Sequence, residues 1–426
     1  RPPSCHGATN INSTLTVTRH IPTRPNRMNA QQPIRLAVVG GRRGGSFRLA
    51  LQSLAERLTL TTICDLSEEV LAQWRADHPG IQTYSRYEDL LDDAAVDAVL
   101  LATPMYLHAG QAVQALRAGK HVLSEVIAAT TLDECWELVE TVEQTGRTYM
   151  LAENYCYMRP NRMVLNMAQQ GVFGEITFAE GGYIHDCRYL IFNADGSTTW
   201  RGEMRRIFNG NGYPTHSLGP VAQWLGINRG DRLVSTATWV SKACAAQLYA
   251  RDHLGPDHPA TEDRYWQLGD SATTLIQTAK GALIVLRMDS NSARPHNMTH
   301  YTLQGTQAAY LSARHHKEDP LIWIDGRSPG ASPGDAEWES LWNYSDEYEH
   351  PDWREWRAVA QKAGHGGGDF FVLRDFVQAI ETGSPPPIDV YDAVTWSVIM
   401  PLSAQSVAQG GAPVAVPDFR RGNRSL

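Results

Sequence analysis

The chain has 426 residues, 42% hydrophobic and 20% charged, enough for a sizeable core and for two domains rather than one. Lys+Arg 38 against Asp+Glu 46 gives a formal charge of -8, which excludes the overall basic balance that drives binding to nucleic acid or anionic lipid. No apolar run approaches the roughly 20 residues that span a bilayer, and the six Cys are scattered without a CxxC pair, so neither a disulfide scaffold nor a zinc site is expected. Reduced thiols in a cytoplasmic setting fit this usage, with no metal.

In chain order, residues 1–32 are rich in Arg, Thr, Pro and Asn and lack the apolar h-region of a secretory signal. They are expected to be appended, upstream-translated or disordered sequence, with the fold starting near Ile34. IRLAVV (34–39) reads as a buried strand that ends in Gly40-Gly41-Arg42-Arg43-Gly44-Gly45, and SFRLALQSLAERL after it has helical periodicity. LTLTTICD (58–65) is the next strand. Helices at EEVLAQWRADH, YEDLLDD, HAGQAVQALRAG and LDECWELVETVEQTG alternate with strands at VDAVLLAT (96–103) and HVLSE (121–125). This alternation predicts an α/β class, a Rossmann-type doubly wound parallel sheet over 33–153. Beyond about residue 175 the texture changes to long apparent strands, EITFAEGGYIH, RLVSTATWVSK, SATTLIQTAKGALIVLRMD and MTHYTLQGTQAAYLS. They predict a C-terminal α+β domain over 154–426 with a large mixed or antiparallel sheet, its last segment packing back towards the first domain.

The glycine turn is a weak dinucleotide signature by itself, because Arg42 stands where strict GxGxxG has its second glycine. Context strengthens it. The turn joins a strand to a helix, and the next strand ends in Asp65, where a carboxylate would bind ribose hydroxyls and repel a 2′-phosphate. NAD is therefore expected over NADP, although Arg42 and Arg43 could turn the preference toward phosphate. Backbone N–H groups of residues 41–45 would hold the pyrophosphate. Thr103-Pro104-Met105-Tyr106-Leu107-His108 and Ser124-Glu125-Val126 follow strand ends and should line the nicotinamide half; His108 could equally be a helix N-terminal residue, and Glu125 a buried capping carboxylate. A second cluster, GGYIHD (181–186), Trp200-Arg201-Gly202 and NGNGYPTHSLGP (209–220), crowds Tyr, His, Arg and Asn into Gly/Pro-punctuated loops. These groups suit a sugar ring and a proton-transferring base, His216, which opens the helical stretch SLGPVAQWLG; the competing reading has His216 only capping that helix.

These residues resemble the Gfo/Idh/MocA oxidoreductases. Within them GGYIHD, WRG, NGNGYPTHSLGPVAQWLGINRGDR and the tail HGGGDFFVLRDF resemble the NAD-dependent glycosidases of glycoside hydrolase family 109, typified by α-N-acetylgalactosaminidase, over about 34–420. The resemblance implies that Gly40, Arg42 and Arg43 lie in the phosphate turn and Asp65 on the ribose, with Met105, Tyr106, Leu107, His108, Glu125, Val126 and Asn154 around the nicotinamide. It implies Tyr183, Arg201, Tyr213, Pro214, Thr215 and His216 on the sugar, with His216, Tyr183 and Tyr213 as the catalytic set. Sugar dehydrogenases of the superfamily usually carry Glu-Lys-Pro where this chain has Glu125-Val126-Ile127, so the lysine that assists their hydride transfer is absent. Two departures leave the sugar open: Glu203-Met204-Arg205-Arg206 replaces an expected His-containing segment, and Arg294-Pro295-His296 replaces Arg-Pro-Tyr.

The implied chemistry is an NAD-dependent retaining cleavage: transient oxidation at C3, loss of the C2 proton, elimination at C1, water addition and re-reduction. A sugar 3-dehydrogenase and a silent sugar-binding protein are the competing readings. Trp323, Trp338, Trp342, Trp353 and Trp356 in the insertion 315–357 could stack on sugars or pack a surface subdomain, and packing is favoured. Because no run of helices after residue 230 looks long enough to cover the outer face of the second sheet, a homo-oligomer joined through that sheet is expected.

Overall fold

The computed structural model describes residues 32–295, 297–330 and 334–421, with the backbone alone for 297–299. The N-terminal segment set aside above, and His296, thus lie outside the described residues. Six strands form the first sheet: β1 Ile34–Val39, β2 Leu58–Cys64, β3 Gln82–Tyr84, β4 Ala98–Leu101, β5 His121–Ser124 and β6 Tyr149–Leu151. They pair in the order β3-β2-β1-β4-β5-β6, all parallel, which is the dinucleotide-fold order with its switch point between β1 and β4. β1 and β4 are buried along almost their whole length, as a sheet covered by helices on both faces requires. The strand read at 96–103 is shorter than expected.

Local chemistry fixes the helices of this half. Ser67 caps Glu68–Asp77 by accepting from Val70 N, and Thr131 and Glu134 exchange side-chain and backbone bonds to open Leu132–Thr145.

The second sheet has nine strands: β7 Ile176–Ile184, β8 Leu233–Val240, β9 Ser271–Thr278, β10 Leu283–Asp289, β11 Asn297–Gly305, β12 Ala308–Leu311, β13 Leu321–Ile324, β14 Glu339–Ser340 and β15 Val414–Ala415. Their order is β14-β13-β12-β11-β7-β10-β9-β8-β15, and only β7 and β10 run parallel, so the sheet is mixed. Two of the long apparent strands are hairpins. SATTLIQTAKGALIVLRMD turns between Thr278 and Leu283, and the stretch after Asn297 turns between Gly305 and Ala308.

Helices Thr215–Trp224 and Ile399–Ala408 lie on the inner face of the sheet, against β7 and β8. Gly368–Thr382 packs on Arg48–Ser53, and Leu151 N donates to Ile388 O, so the C-terminal part returns to the first sheet. The sequence predicts that no run of helices after residue 230 covers the outer face of this sheet, and these helices lie on its other face. They cover the inner face, and the outer face still shows Phe178, Leu283, Val285 and Leu275 in registered rows. Three tryptophans of the insertion pack, whereas Trp338 is exposed. Trp353 is 2% exposed and donates to Tyr157 O at 2.9 Å, Arg159 covers the Trp342 ring and Trp356 meets Phe370. Among the described residues no helix is long and apolar enough to cross a membrane.

The closest approach between these layers occurs at Gly181 of β7. A Cβ there would lie 2.0 Å from the carbonyl oxygen of Ser217, a backbone atom. Gly181→Ala must therefore push Thr215–Trp224 off the sheet, and we expect it to lower stability by about 2–3 kcal/mol. A urea-unfolding midpoint equal to wild type would refute this packing.

Candidate active site

Two clefts meet at the C-terminal edge of the first sheet. One is lined by Val39, Gly40, Arg42, Arg43, Asp65, Tyr87, Tyr106, Leu107, Trp200 and Arg201, among others. The other, of about 930 Å³ including space open to solvent, is lined by Arg43, Thr103, Met105, His108, Glu125, Val126, Tyr183, Cys187, Trp200, Arg201, Arg205 and Tyr213, among others. Arg43, Thr103, Trp200 and Arg201 belong to both, so the space is continuous. It suits an elongated dinucleotide with a sugar at its inner end.

At the first strand end, Asp65 accepts from Gly41 N at 2.8 Å and from Ser67 N at 2.9 Å. Of the N–H groups read as a phosphate cradle, Gly41's is therefore taken. Those of Gly44 and Gly45 bond carbonyls of their own turn, which leaves Arg42 and Arg43 in the first helical turn, where no intrahelical acceptor exists. Arg43 directs two N–H groups to one oxygen of Glu125, at 2.9 and 2.6 Å, so Glu125 meets the cleft as a paired, 5% exposed carboxylate. Both ring nitrogens of His108 face carbonyls, Ile127 O at 2.8 Å and Thr103 O at 2.9 Å. Burial pushes its pKa down while those carbonyls pull it up.

Asn154 is 1% exposed and lines neither cleft. It donates to Asp369 at 2.9 Å, and its own carbonyl oxygen is buried without a partner. Asp369 also accepts from His365 at 2.9 Å, a bond that raises the His365 pKa above its ordinary value. The buried Asn154 side-chain oxygen thus sits behind the residues that line the clefts.

His216 is the second residue of the helix Thr215–Trp224, whose N-cap is Pro214. The helix thus begins earlier than the stretch read from sequence, and His216 lies inside it rather than capping it. Its Nδ1 lies 2.7 Å from Oε1 of Glu153, which is fully buried. A carboxylate opposite Nδ1 holds the proton there and leaves the lone pair on Nε2, which has no hydrogen-bond partner among the described residues. The Tyr155 ring stacks on His216 at 3.9 Å and 4°, and Tyr213 and Tyr183 lie 5.1 and 5.4 Å away by ring centroid. Of the sugar residues read from sequence, Tyr183, Arg201 and Tyr213 line the cleft, whereas Pro214, Thr215 and His216 are buried in its wall. Burial pushes the phenols of Tyr183 and Tyr213 up, so both are neutral proton donors.

Sequence reasoning missed Glu153, Tyr155 and Asp369. Glu153 follows β6, a three-residue strand too short for periodicity to mark, and its partner is 63 positions away. A carboxylate next to Asn154 at a strand end was the one available signal. Gly219, one turn after His216, makes the contact sterically feasible: a Cβ there would come 2.9 Å from Glu153 Cγ and 3.0 Å from Cys156 Sγ.

Comparison with known proteins gives the family and the fold. Residues 157–425 match the family model described as glycosyl hydrolase 109, C-terminal domain, and residues 34–153 the oxidoreductase family with an NAD-binding Rossmann fold. A glycosyl hydrolase family 109 protein of Solibacter usitatus is 38% identical over 402 residues, covering 91% of this chain and 89% of its own length. One of Stenotrophomonas maltophilia is 36% identical over 421 residues, covering 91% and 89%. Among solved structures, levoglucosan dehydrogenase in complex with NADH and levoglucosan superposes with a TM-score of 0.73 at 20% identity, over 91% of this chain and 100% of that one. The WlbA dehydrogenase of Bordetella pertussis, with NADH and UDP-GlcNAcA, gives 0.67 at 19%, over 92% and 100%. At these identities the two structures establish the fold.

With a carboxylate at Asp65, NAD should raise the melting temperature well beyond NADP, since only a ligand of the native state shifts the transition. Asp65→Ala should narrow that gap. Equal shifts from both cofactors in wild type would contradict the role of Asp65.

Proposed function

Because the chain belongs to glycosyl hydrolase family 109, we propose that it is an NAD-dependent retaining glycosidase acting on α-linked N-acetylgalactosamine. Bound NAD supplies reversible oxidation at C3 of the sugar, which acidifies the C2 proton so that the C1 group can be eliminated, water added and the ketone reduced again. Gly40, Arg42, Arg43, Asp65, Tyr106 and Leu107 hold the adenosine and phosphate half. Met105, His108, Glu125, Val126 and Asn154 surround the nicotinamide end.

The observation that carries the reading is the Glu153–His216 pair beside two neutral tyrosines. Glu153 fixes the His216 tautomer and stabilises the imidazolium that forms when Nε2 takes a proton. Tyr183 and Tyr213, which line the cleft, donate to sugar oxygens and relay protons between the ring and His216. Arg201 meets the sugar, while Pro214 and Thr215 shape the wall.

Hydrolysis of an α-N-acetylgalactosaminide in D2O should place deuterium at C2 of the released sugar. His216→Ala should retain NAD yet turn over about 10²–10⁴-fold more slowly, as expected for a lost acid–base group. Cleavage with no deuterium at C2 excludes elimination and points to displacement by a carboxylate, with Glu203 and Asp186 the first to test. Accumulation of NADH and a keto-sugar without bond cleavage would instead identify a sugar 3-dehydrogenase.

We also propose a homo-oligomer joined through the outer face of the nine-stranded sheet. Phe178 pairs with Leu283 and Val285 with Leu275 on that face, and Leu283 is 42% exposed, an apolar surface without a cover among the described residues. Light scattering at micromolar concentration should exceed the 47.3 kDa of one chain; a lone monomer would refute the assembly.

A further inference from the structure

Arg205 lines the sugar cleft and is 7% exposed. Three of its five N–H groups are used: Nε donates to Asn291 Oδ1 at 2.8 Å, Nη1 to Arg201 O at 3.0 Å and Nη2 to Ser290 Oγ at 3.1 Å. All three acceptors are neutral, and two donors remain. Among the described residues no carboxylate lies within ion-pair distance of Arg205. The titratable groups beside it bring no negative charge either, because burial pushes both Tyr183 and Cys187 up.

The second cation of the cleft, Arg201, rests over the Trp200 ring at 4.2 Å. Its guanidinium has no hydrogen-bond or ion-pair partner among the described residues. Of the other arginines nearby, Arg43 pairs with Glu125, Arg188 with Asp186 and Arg206 with Glu203, while Arg42, in the cofactor cleft, has no ion pair among the described residues. A buried guanidinium without a counter-charge is expensive, and the expense falls when an anion enters.

We propose that the sugar bound in this cleft carries an anionic substituent, a carboxylate or a sulfate ester, held between Arg201 and Arg205. This rests on the glycosidase reading only in taking the ligand to be a sugar. A planar carboxylate or a sulfate matches the fork of donors that Arg205 still offers. Glu125, which lines the same cleft, brings no uncompensated negative charge, because Arg43 pairs with it.

Calorimetric titration of the NAD-loaded protein with galacturonate and galactose, and with N-acetylgalactosamine 6-sulfate and N-acetylgalactosamine, tests it. One anionic sugar should bind about tenfold or more tightly than its neutral counterpart, as a charge-assisted pair predicts. The preference should weaken between about 50 and about 500 mM NaCl. The pair that shows it tells carboxylate from sulfate. Arg205→Met should abolish the preference, and Arg201→Gln, at a less buried position, should reduce it if the first variant fails to fold. Absence of a preference in wild type, including no binding by any of the four sugars, overturns the proposal. A preference without cleavage of the matching nitrophenyl glycoside leaves it standing and sinks the glycosidase reading; equal cleavage of neutral and anionic glycosides does the reverse.

Discussion

The helix that carries His216 is held in place from four sides, and the chemistry of the cleft depends on that confinement. Pro220 stands four residues after His216. It has no N–H to give, so the His216 carbonyl lacks its helical donor. Tyr301 of β11 fills the vacancy by donating its hydroxyl to that carbonyl. Gly181 lets the backbone of β7 approach Ser217, Gly219 admits Glu153 and Cys156, and Tyr155 covers the imidazole face. Side-chain direction at His216 is thereby fixed by packing, so its tautomer can be set by one carboxylate.

The buried carboxylates around the clefts are compensated in different ways. On the first sheet Arg43 compensates Glu125, and around Asp369 the compensation comes from His365 and an amide. Glu153 has only His216 Nδ1 and the Tyr155 N–H on one oxygen, and its other oxygen is buried without a partner. In the same cleft Arg201 and Arg205 have no ion-pair partner among the described residues, whereas its carboxylate, Glu125, is paired with Arg43.

The first sheet was legible because each strand ends at a turn with its own chemistry, Gly40 after β1 and Asp65 after β2, and because helix and strand periods alternate. Strands β3 and β6, three residues each, were too short to register. In the second half, period-two patterning ran on through turns such as Ala279-Lys280-Gly281-Ala282, so hairpins read as single long strands. The gathering of Tyr183, Arg201 and Tyr213 at one cleft was foreseen from residue types in loops. The Glu153–His216 contact was not, since it joins the end of one sheet to a helix on the other, and no local pattern encodes such a pairing.

The position after Glu125 shows how the same scaffold can be turned to a different use. The resemblance places an ammonium there in sugar dehydrogenases; here Val126 lines the cleft, and no lysine joins it among the described lining residues. The cation next to Glu125 is Arg43, a guanidinium too basic to give up a proton near neutral pH. On the proposed reading, proton movement then falls to the Glu153–His216 pair and to Tyr183 and Tyr213 beside it.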